Sequence, residues 1–222
     1  MTASRVSPYL PSFIGGATCL DFVNTVDPRH ADEHDDCLRS YPQLLRWAAE
    51  AGLLTAEERS WLERRGRQEP GPADAVHQRA VELREALYRL FAAQPSAQGD
   101  LARLIDEVHR AWAMTKLART DGGWAWRWDA PAELDRVLWP VARSAAELLT
   151  SGQLSRVREC EGHNGCGWLF LDTSKNGRRR WCDMRVCGNR AKARRHRQRE
   201  VAAAPPSRSA NRDGHARGPA TA

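Results

Sequence analysis

The chain reads as a mainly α-helical protein with small β-hairpins, made of a helical N-terminal domain and a small C-terminal module closed by four cysteines. Three observations predict this. Apolar residues recur at intervals of three and four through most of residues 40–150. Cys160, Cys166, Cys182 and Cys187 cluster late in the chain. The charge also reverses between the two parts: residues 1–150 hold 18 Lys+Arg against 22 Asp+Glu, a net of −4, whereas residues 151–222 hold 16 against 6, a net of +10. The expected boundaries are 12–152 for the helical domain and 153–201 for the module, with 202–222 as a disordered Ala/Pro/Ser/Gly-rich tail.

Taken in order, Ser40 is placed to cap a helix that puts Leu44, Leu45, Trp47, Ala48 and Ala51 on one face, with Gly52 to end it. Thr55-Ala56-Glu57-Glu58 reads as a capping box opening a second helix through Trp61 and Leu62. Glu69-Pro70-Gly71-Pro72 breaks the pattern. Val76, Ala80, Leu83, Leu87, Leu90 and Phe91 then form the stripe of a long helix that ends at Gln94-Pro95-Ser96. Leu101, Leu104, Ile105, Val108 and Trp112 repeat the stripe and are expected to pack inward.

The period then changes to two. Trp124, Trp126 and Trp128 alternate with Ala125 and Arg127 after Asp121-Gly122-Gly123, which predicts a hairpin with Thr115–Thr120 as its first strand. Such a row could stack bases or line a pocket; three large aromatics on one strand face need a cover, so the helical core is the expected one. A further helix is expected from Asp129-Ala130-Pro131, with Leu134, Leu138, Val141, Ala145 and Leu148 inward, a kink or break at Pro140, and Gly152 beyond its end.

Leu154–Glu159 and Gly167–Asp172 are strand candidates flanking the first cysteine pair, and Asn176-Gly177 marks the next turn. The cysteine spacing is C-x5-C-x15-C-x4-C. Two close pairs across a short connection suit one tetrahedral zinc ion, structural because four thiolates leave no open position, with a redox disulfide or an iron–sulfur site as the alternatives. His163 stands two residues beyond Cys160 and competes with Cys166 as ligand; Gly162 and Gly165 give the wider turn its permissive backbone, and Cys166 is preferred. Cys19 and Cys37 read as small isolated thiols. Residues 1–16 carry no apolar run of signal-peptide length, and no stretch approaches the roughly 20 apolar residues of a membrane span, so a reducing cytoplasmic setting is expected.

Residues 189–201 have no apolar face. Arg190, Lys192, Arg194, Arg195, Arg197 and Arg199 surround the axis, and Arg178, Arg179 and Arg180 precede the second cysteine pair. A helix without a buried stripe gains little from packing, so this one should be tied down at its first turn by the metal and further ordered by an anionic partner. One-signed charge of this kind is the footprint of a polyanion-binding segment, most often nucleic acid. The basic candidates for phosphate contact are Arg178, Arg179, Arg180, Arg190, Lys192, Arg194 and Arg195.

The runs Cys166-Gly-Trp-Leu-Phe-Leu-Asp-Thr-Ser-Lys, Arg179-Arg-Trp-Cys-Asp-Met184 and Cys187-Gly-Asn-Arg-Ala-Lys192 closely resemble the CGNR zinc-finger module. Gly15-Gly16 and Cys19-Leu-Asp-Phe-Val-Asn-Thr-Val26 look like the start of the ABATE domain that precedes this finger in bacterial proteins described as stress-induced transcription regulators. The resemblance covers about residues 12 to 200. It implies a helical domain that senses a small ligand and a finger that binds DNA, and it places the four family cysteines on Cys160, Cys166, Cys182 and Cys187.

The function expected from both lines is that of a zinc-containing, DNA-binding transcriptional regulator of stress response, located in the cytoplasm and on the nucleoid when bound to DNA. The competing class is a protein- or RNA-docking finger attached to a small-molecule-binding domain, for which Asp21, Asn24 and Thr25 are the candidate ligand contacts; their alternative is local turn and cap chemistry. A homodimer through the helical domain is expected because a single finger reaches little specificity. An enzyme is not expected: the chain has no glycine-rich phosphate loop, no Gly-x-Ser-x-Gly elbow and no His-Glu-x-x-His.

Overall fold

The computed structural model describes residues 12–92, 98–128, 133–162 and 165–203. Their helices are α1 (Thr18–Val23), α2 (Tyr41–Glu50), α3 (Ala56–Gln68), α4 (Pro70–Phe91), α5 (Gln98–Ala113), α6 (Trp139–Thr150) and α7 (Asn189–Ala203). Three antiparallel two-stranded ribbons lie between them: β1 (Val26–Asp27) with β2 (Asp35–Asp36), β3 (Thr115–Thr120) with β4 (Gly123–Trp128), and β5 (Val157–Glu159) with β6 (Leu169–Leu171). The expected breaks at Gln94-Pro95-Ser96 and Asp129-Ala130-Pro131, the ligand alternative His163 and the tail from residue 204 lie outside the described residues.

The helical core is centred on α1, a six-residue helix too short to persist alone. Cys19, Leu20, Phe22 and Val23 are all fully buried, and α1 is held between α4 and α6. Around it pack Leu44, Leu45 and Trp47 of α2, Leu62 of α3, Leu83 and Leu87 of α4, and Val141 and Ala145 of α6.

Local chemistry sets the element ends. Thr55 Oγ1 accepts the Glu58 N–H at 3.1 Å while Glu58 Oε2 accepts the Thr55 N–H at 2.8 Å, completing the capping box. Ser40 occupies the cap position of α2 without a side-chain bond, and Gly52, at φ +71°, turns the chain out of it. Between α3 and α4 only Glu69 intervenes. Pro70 and Pro72 sit in the first turn of α4, where a missing N–H costs nothing, so the breaker run starts a helix as well as ending one. Pro140 likewise lies in the first turn of α6, preceded by a separate 3-10 turn over Leu134–Val137, so it marks a helix start and introduces no kink.

Two expectations fail here, for one shared reason. In α5, Leu104 is buried and Val108 packs half-buried against the core, but Leu101, Ile105 and Trp112 are exposed; the fully inward positions are Asp100, Leu104, Glu107 and Ala111. This face lies one residue, about 100°, from the apolar stripe. Arg89 grips Asp100 through 2.8 and 2.6 Å bonds, and Arg79 grips Glu107 through 2.8 and 2.7 Å bonds, so two bidentate ion pairs from α4 set the helix rotation. The β3–β4 hairpin meets the C-terminal end of α5, where the rings of Trp112 and Trp126 touch, and does not cover the core: Trp124 and Trp126 are exposed, and only Trp128 turns inward, near Trp139 and beneath the Arg136 guanidinium at 4.5 Å.

Candidate metal centre and basic helix

The C-terminal module starts with a 3-10 turn at Leu154–Arg156, shortening the expected first strand to β5. Register Val157↔Leu171, Arg158↔Phe170 and Glu159↔Leu169 brings the hairpin tip to the first cysteine pair, and the Cys160 N–H donates to the Trp168 carbonyl at 2.8 Å to extend the ladder. Gly165 (φ +72°) and Gly167 (φ +63°) take the left-handed conformations that turn the chain around Cys166.

The segment that returns to Cys182 is locked by two residues. Asp172, fully buried, accepts the backbone N–H groups of Ser174 and Arg179 at 2.9 Å; the Ser174 hydroxyl first, and then these two bonds, lower its carboxyl to about 2. Arg179 stacks on Phe170 at 4.4 Å and donates from Nε to the Trp181 carbonyl at 2.8 Å and from Nη2 to the Cys182 carbonyl. Its guanidinium is thus committed to shaping the approach to Cys182. After Cys182, a single π-helical turn over Met184–Gly188 carries Cys187 and runs directly into α7. The Asp183 carboxylate caps that turn by accepting the Arg185 N–H.

The four thiol sulfurs lie within 4.8 Å of one another and are all buried. Cys166 Sγ stands 3.8 Å from Cys182 Sγ, which stands 3.7 Å from Cys187 Sγ. A tetrahedron with zinc–sulfur bonds of about 2.3 Å has edges of about 3.8 Å. None of the four is in a disulfide. The Cys182 N–H donates to Cys160 Sγ at 3.2 Å, the kind of bond that supports a thiolate ligand. A Cβ at Gly162 would lie 2.9 Å from Cys166 Cβ and 3.0 Å from Cys187 Sγ, so the backbone closes the site on that side. Among themselves the thiols cannot all ionise. Hydrogen bonds from Cys166 and Cys182 push Cys160 down, the bond with Cys160 pushes Cys166 and Cys182 up, and burial pushes Cys187 up. A divalent cation between them removes that conflict, and geometry and donor chemistry fit one structural zinc ion held by Cys160, Cys166, Cys182 and Cys187.

The helical domain clasps this module through residues 15–30. Asn24 and Thr25 are fully buried. Asn24 Nδ2 donates to the Leu169 carbonyl and Asn24 Oδ1 accepts the Leu169 N–H, both at 2.8 Å, so the side chain acts as one more strand beside β6. Trp168 Nε1 donates to the Val26 carbonyl, Arg29 and His30 donate their N–H groups to the carbonyls of Cys166 and Gly165, and the Leu171 N–H reaches the Gly15 carbonyl. Thr25 Oγ1 donates to the Phe22 carbonyl and accepts from Arg84. Asp21 accepts the Gly15 N–H at 2.7 Å, and burial raises its carboxyl to about 6. All three candidate ligand contacts thus bond backbone: Asp21 and Thr25 do so locally, as the turn-and-cap alternative had it, whereas Asn24 reaches across to Leu169.

Charged groups missed in the sequence line the same seam. Arg84 forms a bidentate pair with Asp36 at 2.7 and 2.8 Å, Arg29 pairs with Glu85 at 2.8 Å, and His30 Nε2 reaches Glu159 Oε1 at 2.5 Å and the Tyr88 hydroxyl at 3.0 Å. Burial would raise Asp36, but the Arg84 guanidinium outweighs it and holds the carboxyl below its usual range. A cavity of about 400 Å³ opens directly onto the metal site, lined by Cys166, Cys182 and Cys187 together with Asp27, Trp168 and Arg190.

Of the basic candidates, Arg178, Arg190, Lys192, Arg194 and Arg195 are exposed. Arg180 is exposed but paired with Glu161 at 2.7 Å, and Arg179 is internal, as described. Along α7 the one acid, Glu200, pairs with His196 at 3.4 Å.

Among the described residues no helix is long and apolar enough to cross a membrane. Residues 16–152 match the ABATE family, described as "Putative stress-induced transcription regulator", and residues 156–200 match the CGNR zinc finger. No curated protein matches the chain. With the helical core, the clasp and the four-thiol site in place, the chain belongs to the ABATE family and carries a CGNR zinc finger.

Proposed function

We propose that the protein is a DNA-binding transcriptional regulator in which a sensing domain, residues 12–152, controls a finger at residues 153–201. One observation carries this: Cys187 lies in the turn that opens α7, so a zinc ion fixes the start of a helix whose Arg190, Lys192, Arg194 and Arg195 all face solvent. With no apolar face to bury, α7 is presented outward by the metal instead of being packed away. Its cations meet phosphates and set affinity; Arg178 extends the same surface from the turn before Cys182. The role of the ion is structural, since four thiolates leave no position for water or substrate.

The effector part of this proposal belongs to the 400 Å³ cavity and not to Asp21, Asn24 and Thr25. That cavity touches the clasp, Arg190 and the zinc ligands Cys166, Cys182 and Cys187, so a ligand there would bear on the metal site and on the first turn of α7.

Fluorescence anisotropy with duplex DNA over a salt series tests the DNA reading. Binding should weaken linearly in log–log form, and each of Arg190→Ala, Lys192→Ala and Arg194→Ala should reduce the slope by about 0.9. Binding that survives chelation of the zinc, or no binding at low salt, would move the finger to the class of protein-docking modules.

A further inference from the structure

The rotation of α5 leaves a large apolar surface outside the core. Leu101, Ile105 and Trp112 are 49, 42 and 47% exposed along one side of the helix; on the adjoining hairpin, Leu117, Trp124 and Trp126 are 53, 67 and 49% exposed. The rings of Trp112 and Trp126 meet edge to face, centroids 5.6 Å apart and planes at 87°, so the helix stripe and the strand row are one continuous surface.

These six side chains leave on the order of 650 Å² of apolar surface in water, above the usual largest patch of a monomer and close to the ~800 Å² that each partner contributes to a stable interface. The hairpin also needs support. A two-stranded ribbon is marginally stable alone, and of its tryptophans only Trp128 reaches the core.

We propose that this surface is a homodimer interface in which the β3–β4 hairpin of each copy lies across α5 of the other. The patch has two unlike halves, a projecting aromatic row and an aliphatic helix stripe. A two-fold axis lets each half cover its counterpart at once and buries about 1,300 Å² in total, within the range of stable complexes. Nucleic acid fits this face poorly. Of the hairpin's own cations, the register Leu117↔Trp126 and Arg119↔Trp124 places only Arg119 on the tryptophan face, while Lys116 and Arg127, opposite each other, lie on the other face. A base-stacking platform would have cations interleaved with its rings.

Sedimentation of the zinc-loaded full chain tests the proposal, without reference to DNA. Over roughly 1–100 µM, where an interface of this size associates, the mass should approach twice 24.9 kDa. Trp124→Glu and Ile105→Glu, at exposed positions on the two halves, should each weaken association at least about 100-fold, with helix content and zinc stoichiometry unchanged. Hydrogen exchange on the unmodified protein gives a second measure: protection of α5 and β3–β4 should rise with concentration. A wild-type protein that stays monomeric throughout, a dimer unaffected by both substitutions, or concentration-dependent protection confined to other elements would each overturn it.

Discussion

Replacing Asn24 with alanine should loosen the finger from the helical domain. Asn24 is fully buried and exchanges two 2.8 Å hydrogen bonds with the backbone of Leu169, so the substitution strands one N–H and one C=O of β6 away from water. Each buried unsatisfied group costs about 1–3 kcal/mol. Partial relaxation puts the expected loss at about 3 kcal/mol, a fall in Tm of roughly 6–12 °C for a domain of this size. Asn24→Asp isolates the donor half: it keeps an acceptor for the Leu169 N–H but sets a buried carboxylate against the Leu169 carbonyl, so it should be at least as damaging at pH 7. Urea unfolding followed by circular dichroism gives the stability, and the rate of zinc transfer to a chromogenic chelator reports the finger separately. Both variants should release zinc faster. A loss below about 0.5 kcal/mol for Asn24→Ala, with zinc release unchanged, would show that water or a shifted strand satisfies Leu169 and that the clasp contributes little.

Three further outcomes follow from the same geometry. Cys182→Ser should lower bound zinc from one ion per chain to none while the helical domain stays folded, whereas Cys19, whose thiol burial raises to about 12, should resist alkylation at pH 7 in the folded protein. Gly162→Ala pushes a methyl group against Cys166 and Cys187 and should weaken zinc binding about 10–100-fold in a competition titration, without changing the ligand count. For Asp21, the folded carboxyl at about 6 lies above the unfolded value of about 3.9, so the folded state holds the extra proton between them and stability falls as pH rises from about 4 to 6. Asp21→Asn should remove that decline, so its urea midpoint should gain on wild type across this window; parallel midpoints from pH 4 to 7 would rule the assignment out.

What the sequence disclosed was whatever depends on short range. The capping box at Thr55, the turn glycines Gly52 and Gly177, the α4 stripe and the four cysteines each draw their meaning from neighbours a few residues away. The failures came where distant partners decide. The stripe of α5 looks inward by periodicity, yet Arg79 and Arg89 turn Glu107 and Asp100 to the inside, an arrangement no local pattern announces. The tryptophan row was expected to find cover in the core, and the rotation of α5 removed that cover. Arg179 resembles its neighbours in an arginine triplet; only Phe170 and the carbonyls of Trp181 and Cys182 distinguish it. Asn24 gave no sign of its role because Leu169 lies 145 residues away.

That separation also bears on the order in which the protein is made. Gly15, Asn24 and Val26 are among the first described residues to leave the ribosome, and Trp168, Leu169 and Leu171, which they hold, emerge only after every element through β5. The helical domain can therefore condense while one edge still waits, its polar groups hydrated. The later-arriving hairpin seals that edge, so in the nascent chain the joining of the two domains follows the condensation of the first.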